Sequence, residues 1–275
     1  GGIIDMVRVF KSEQAITLHG SPAGRHLLTE ALEEAALELG NVEYLDLIEN
    51  QVTLEVRGIE ARRILTAAII DGKIPEEPDR TSIIEIGQAR CLVSTRQYGE
   101  DIESFRLDTG TMFAQSVWDR MISIGMKMGL MPGGFQAAEM VRIESGVPLV
   151  GYEINDRVTP IEVGREDLVE LAKSDFKGRQ AFLHSAMAEF PKRLVIIKMN
   201  DARVPAREST IEIGNIPVGY VTSSIYSPRQ ESGLAMGFVD GMHSGPGSVL
   251  EIRDEKEEII YGTVMDKQEL STAAT

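Results

Sequence analysis

The sequence predicts an α+β protein whose C-terminal part is all β, and two patterns carry that reading. Up to about Pro191, strand-like and helix-like segments follow loosely as strand, strand, helix, the order of α+β layers rather than strict β-α-β winding. Beyond Pro191, six short apolar segments are broken by Gly, Pro and Asn, the spacing of a β-sandwich or barrel. The change of texture places the domains at 1–190 and 191–268, with 269–275 as a small, polar tail.

The elements follow in order. Val7–Phe10 and Ala15–Leu18 read as strands around Lys11-Ser12-Glu13-Gln14. Arg25–Leu39 places Leu28, Ala31, Leu32, Ala35 and Leu39 at helical spacing, and Gly40 stands where a C-terminal cap belongs. Tyr44–Ile48 and Val52–Val56 read as strands, Ile59–Ile70 as a helix closed by Asp71-Gly72, and 73–80, with Pro75 and Pro78, as a loop. Ser82–Ile86 and Ala89–Ser94 form a hairpin, Phe105–Leu107 another strand, and Thr111–Gly125 and Phe135–Ile143 helices. The C-terminal strands are 194–199, 210–213, 217–222, 234–239, 248–252 and 259–264.

Composition excludes several functions. Of 275 residues, 43% are hydrophobic and 26% charged, which supplies a sizeable core. The net charge of −15 repels phosphate backbones, and no basic stripe opposes it, so a nucleic-acid partner is not expected. No apolar run approaches a membrane span and no signal peptide is visible; the reading is cytoplasmic. The single cysteine, Cys91, lies among Ala89, Leu92 and Val93 and reads as a buried small hydrophobe. His19, His26, His184 and His243 are far apart with no ligand spacing, so no metal site is expected. There is no phosphate-binding loop, dinucleotide fingerprint or G-x-S-x-G elbow. Gly1-Gly2-Ile3-Ile4-Asp5 enters an apolar strand without a Met, so a further N-terminal portion is expected to precede it.

Five segments in fixed order resemble one family. They are Gly1-Gly2-Ile3-Ile4-Asp5; Glu139-Met140-Val141-Arg142-Ile143-Glu144-Ser145-Gly146; Thr159-Pro160-Ile161-Glu162-Val163-Gly164; Lys173 to Phe182; and Gly219-Tyr220-Val221-Thr222-Ser223 with Tyr226-Ser227-Pro228. They resemble the G-G-I-I-D-D, R-D-x-x-R-L-E-x-G, T-P-x-E-x-G, K-x-D-F-x-G-R-x-A-L and G-x-V-T-S-x-x-x-S-P segments of the glycine cleavage T-protein (aminomethyltransferase) family. The resemblance implies a clover-like fold binding tetrahydrofolate centrally, with a C-terminal β-barrel. The family also holds tetrahydrofolate-dependent demethylases and a folate-binding iron–sulfur maintenance branch. Phe176-Lys177-Gly178-Arg179-Gln180 lacks the Cys of that last branch, which is disfavoured.

The resemblance also implies site residues. A pterin presents a ring N–H beside an amino group, a donor pair that one carboxylate accepts with both oxygens. The family supplies a Glu from a G-Y-T-G-E turn; here Tyr98-Gly99-Glu100-Asp101-Ile102-Glu103 keeps the residue types in altered spacing. Glu100 matches with Gly99 as anchor and is favoured; Glu103 matches with Phe105 as anchor; an acidic surface turn is the plain alternative. Arg142 matches the second Arg of the family helix, as a support for the carboxylates or the folate tail, or it simply pairs with Glu139 or Glu144. Glu162 orders the site or caps a neighbouring element.

Departures redirect the chemistry. The second acid of G-G-I-I-D-D is Met6, leaving Asp5 alone, and a thioether neither holds a proton nor stabilises developing positive charge. Ala138 and Glu139 replace the first Arg-Asp pair, and Leu18-His19-Gly20-Ser21-Pro22 replaces V-N-A-x-N. Asp5 and Tyr98 remain as catalytic candidates, with His19 a second proton relay or a turn residue. The expectation is a tetrahydrofolate-dependent methyl transferase or demethylase acting on a small methylated substrate, with an H-protein or corrinoid protein as carrier. The alternatives are aminomethyl transfer proper and a non-catalytic folate-binding relative.

Overall fold

The computed structural model describes residues 1–11, 15–78, 80–98, 102–254 and 258–266, and the side chains of 96–98 lie outside that description. Contact density divides the chain into two units, residues 41–134 and residues 1–40 together with 135 onward.

The 41–134 unit is a five-stranded antiparallel sheet with two helices on one face. Its strands are β3 (Gln51–Gly58), β4 (Ile69–Gly72), β5 (Thr81–Ile86), β6 (Ala89–Tyr98) and β7 (Ile102–Gly110), in the order β3-β7-β6-β5-β4. Alternation selects the inner face: Ile84 and Ile86 on β5, Ala89, Cys91 and Val93 on β6, and Phe105 and Leu107 on β7 are all buried. Helix α2 (Ala61–Ala68) buries Ala61, Ile64, Leu65 and Ala68, an i, i+3, i+4, i+7 stripe that joins the same core. Helix α3 (Ala114–Gly125) adds Val117 and Met121.

Two expectations are corrected here. Tyr44–Ile48 is no strand: the Asp46 carboxylate accepts the Ile48 N–H at 2.9 Å, a local turn that starts a 3₁₀ segment at Ile48–Asn50. Such a side-chain bond satisfies the backbone locally and competes with sheet pairing. The helix expected over 59–70 ends at Ala68, because Ile69 turns extended (φ −67°, ψ 139°) and opens β4, which pairs with β5. The β-branched pair Ile69-Ile70 suits a strand better than a helix end.

The other unit begins with the hairpin β1 (Arg8–Lys11) and β2 (Ile16–His19), followed by α1 (Arg25–Leu39), whose end is capped by Gly40 in the left-handed region (φ 70°). After α4 (Phe135–Glu144) and α5 (Arg179–Ala186) come six strands: β8 (Arg193–Met199), β9 (Thr210–Ile213), β10 (Ile216–Ser227), β11 (Ser232–Val239), β12 (Val249–Arg253) and β13 (Ile259–Val264). They close into an antiparallel barrel in the order β10-β11-β8-β13-β12-β9, which resolves the choice between sandwich and barrel. The β9–β10 turn, Gly214-Asn215, has both residues at positive φ (56° and 65°), the tight hairpin form matching strand twist. Val195, Ile197, Ile211, Val221, Leu250 and Ile252 are among the residues filling the barrel. On its outside, Ile143 of α4 packs with Ile196, Leu234 and Met236.

Candidate functional site

Glu103 stands at the start of β7, opposite Gln97 of β6 and Gly58 of β3. The residues joining β6 to β7, including Glu100, lie outside the described residues, as does the Tyr98 side chain. The Glu103 carboxylate is engaged by Arg62 of α2: Nε donates to its two oxygens at 2.9 and 2.8 Å, and Nη2 to Oε1 at 2.5 Å. The same guanidinium donates to the Pro75 carbonyl at 3.2 and 3.3 Å and lies 5.1 Å from the centre of the Phe105 ring. Glu103 holds the Arg62 guanidinium above its ordinary pKa, partial burial opposing. About a third of each side chain faces solvent. Glu103 therefore sits ready to accept a flat edge of two parallel N–H groups, and Arg62 supplies one.

Asp5 is held tightly. Its Oδ1 accepts the Met6 N–H at 2.6 Å and its Oδ2 the Ser21 N–H at 2.8 Å, while Ser21 Oγ accepts the Gly24 N–H at 3.0 Å. A Cβ at Gly24 would lie 2.6 Å from Asp5 Oδ2, so glycine there admits the carboxylate to the turn before α1. Met6 packs against the cluster of Val150, Ile154, Val158, Val163 and Phe238. The thioether is thus accommodated as a hydrophobic group.

Arg142, on α4, is buried at 7% exposure, and each of its N–H groups meets a protein acceptor. Nε and Nη2 donate to the Glu139 carboxylate at 3.0 and 2.7 Å. Nη1 reaches the Val147 carbonyl at 3.1 Å and Glu153 Oε2 at 2.9 Å, and Nη2 also reaches Ser223 Oγ at 2.8 Å. Glu153 is wholly buried and accepts in addition from the Leu149 N–H (3.0 Å), Thr222 Oγ1 (2.8 Å) and Ser223 Oγ (2.5 Å). A register shift between Val221 and Ser223 breaks the β10 ladder, and this irregularity lets neighbouring Thr222 and Ser223 both serve Glu153. Full pairing is what allows two charges to stay buried. The sequence reading had Arg142, Thr222 and Ser223 in its motifs but missed Glu153 and Arg62. One signal was available for Glu153, a lone acid inside the apolar run 148–154.

Among the described residues no hydrogen bond joins Asp5 to Arg142, and Glu103 belongs to the other unit. Glu162 Oε2 accepts from the Thr159 N–H and hydroxyl, both at 2.8 Å, and thereby orders its own loop. A cavity of about 480 Å³ includes Ser145, Arg165, Glu166 and Ile196 in its lining. Its charges are already matched, Arg165 with Asp167 and Glu166 with Arg193. Cys91 is buried; desolvation pushes its thiol pKa up, a Thr109 contact opposes and the Asp108 charge adds to it. That is the state of an unreactive core thiol.

The family model described as the GCVT N-terminal domain matches residues 1–173, and that described as the glycine cleavage T-protein C-terminal barrel domain matches 192–267. The chain belongs to the glycine cleavage T-protein family. An aminomethyltransferase of Streptomyces avermitilis is 30% identical over 268 residues, 94% of this chain and 71% of that one. One from Thermoanaerobacter pseudethanolicus is 31% identical over 170 residues, 62% of this chain and 46% of the relative, so the chain matches about half that relative's length. The crystal structure of the glycine cleavage system aminomethyltransferase T from Bartonella henselae has a TM-score of 0.80 at 20% identity, covering 96% of this chain and 72% of that one. This likeness establishes the fold, including the barrel expected from the family motifs. Among the described residues no helix is long and apolar enough to cross a membrane.

Proposed function

We propose that the protein is a tetrahydrofolate-dependent one-carbon transferase or demethylase that takes a methyl group from a small methylated substrate. A carboxylate of the β6–β7 hairpin, Glu103 or Glu100, would hold the pterin edge. Bound reduced folate would supply a nucleophilic ring nitrogen that accepts the one-carbon unit. The fit is supported by the Glu103 carboxylate, which takes a two-donor guanidinium edge, Nε donating to Oε2 at 2.8 Å and Nη2 to Oε1 at 2.5 Å.

The observation that carries the choice of reaction is Met6. Family members with two acids have a second carboxylate at this position, whereas here a thioether packs into an apolar cluster. Asp5, the remaining acid, accepts two backbone N–H groups and orders the turn before α1. Electrostatic support for a developing iminium charge is therefore weakened, while an aligned methyl displacement needs mainly positioning and the loss of one proton. Tyr98 is the candidate for that proton. Arg142, with its donors taken by the protein, acts by fixing α4 to β10 rather than by holding the folate tail. A carrier, H-protein or a corrinoid protein, would present the donor if it is not free.

The test is turnover of methylated amines, ethers and sulfonium donors with tetrahydrofolate, read as 5-methyltetrahydrofolate. Methyl product from at least one donor class, with no methylene transfer from aminomethyl-loaded H-protein, is the expected result. Transfer from H-protein alone would return the protein to aminomethyl chemistry, the activity named for its relatives.

A further inference from the structure

Glu103 and Arg62 form a closed pair whose geometry has a chemical twin. The side-on guanidinium presents Nε–H and one Nη2–H in parallel, and both Glu103 oxygens are used at 2.5–2.9 Å. A 2-amino-4-oxopteridine presents its ring N–H and exocyclic amino group as the same guanidine-type edge. One carboxylate grips one such edge in its plane at a time. We infer that Arg62 is an internal stand-in for the ligand, occupying Glu103 until a 2-amino-4-oxopteridine displaces it. The inference rests on the folate reading proposed above and adds a residue that governs affinity for that class.

The surroundings permit the exchange. About a third of each partner faces solvent, so the guanidinium can leave without crossing the core. Glu76 also stabilises the charge on Arg62, which gives the displaced guanidinium a second carboxylate. The Pro75 carbonyl and the Phe105 ring hold Arg62 in its closed position, so displacement works against several contacts. A pair closed most of the time lowers apparent affinity by the fraction of open sites. With about one site in ten open, the penalty is about tenfold.

The experiment is calorimetric titration of the folded protein with 5-formyltetrahydrofolate and with its 2-desamino analogue. Arg62→Met should bind 5-formyltetrahydrofolate about tenfold more tightly than the parent. The desamino analogue, which lacks half the edge, should gain little. Arg62→Lys, which keeps charge and bulk but not the fork, should fall between, and serves if Arg62→Met does not fold. Equal or weaker binding by the folded Arg62 variants, with the parent binding, overturns the inference and leaves the folate reading standing. Unchanged binding in Glu103→Gln does the same, moving the pterin contact to Glu100. Failure of both parent and Arg62 variants to bind overturns the folate reading and the inference together.

Discussion

Glu153 and Arg142 are the residues on which α4, the 147–153 segment and β10 depend together. Replacing Glu153 with Leu leaves the Arg142 charge buried with only the partly exposed Glu139 as counter-ion. Loss of about 3–5 kcal/mol is expected in urea denaturation. The double variant Arg142→Met/Glu153→Leu should lose less than the sum of the singles, because no unpaired charge remains. Cys91 gives a second prediction at this scale. Its native thiol should resist a thiol reagent at neutral pH and react within minutes once denaturant is added; rapid native labelling would contradict the packing described. Residue by residue, the sequence disclosed types more readily than partners. It offered Arg142 as a support for the carboxylates or the folate tail, or as an ion pair with Glu139 or Glu144. The Glu139 pair forms, but the sequence could not show that Val147, Glu153 and Ser223 would also converge on that guanidinium. Those contacts depend on chain segments 5 to 81 residues apart.

Elements with a strong local period were legible and those decided by pairing were not. Helix α1 was readable from its apolar spacing and terminal glycine, and β5–β6 from their alternation. Closure of the barrel was not readable from the strands alone, since it depends on β9 pairing with both β10 and β12. The 44–48 segment carried strand-like residues, yet one Asp46 hydrogen bond redirected it. Two glycines contrast backbone freedom with close approach. Gly40 is left-handed with open space around it, so Gly40→Ala should cost about 1 kcal/mol in thermal or chemical denaturation. A Cβ at Gly219 would lie 2.0 Å from the Phe238 carbonyl oxygen on the neighbouring strand, so Gly219→Ala should cost about 3 kcal/mol by separating β10 from β11. Equal losses at the two sites would contradict this distinction.

For the whole molecule, a net charge of −15 makes self-repulsion a standing cost, so moderate salt should raise the melting temperature. Acid acts oppositely on particular pairs. Arg253, hydrogen-bonded at 2.8 Å, holds the Glu212 carboxyl below its ordinary range, tying β12 to β9. A lowered folded pKa means that the contribution is complete above the unfolded Glu value, about 4.3, and disappears as pH falls through the folded value. Arg253→Met should therefore flatten this part of the loss as pH falls below the unfolded Glu value, measured by urea midpoints. Family and fold were legible at this scale because five motifs in order constrain the whole chain more than any one site. Pterin binding by the hairpin carboxylate is tested most directly by titrating tetrahydrofolate into the parent, Glu100→Gln and Glu103→Gln proteins. Saturable binding by the parent, with a tenfold to hundredfold loss (about 1.5–3 kcal/mol) in at least one variant, is predicted. No saturable binding by the parent, or parent-like affinity in both variants, would contradict it.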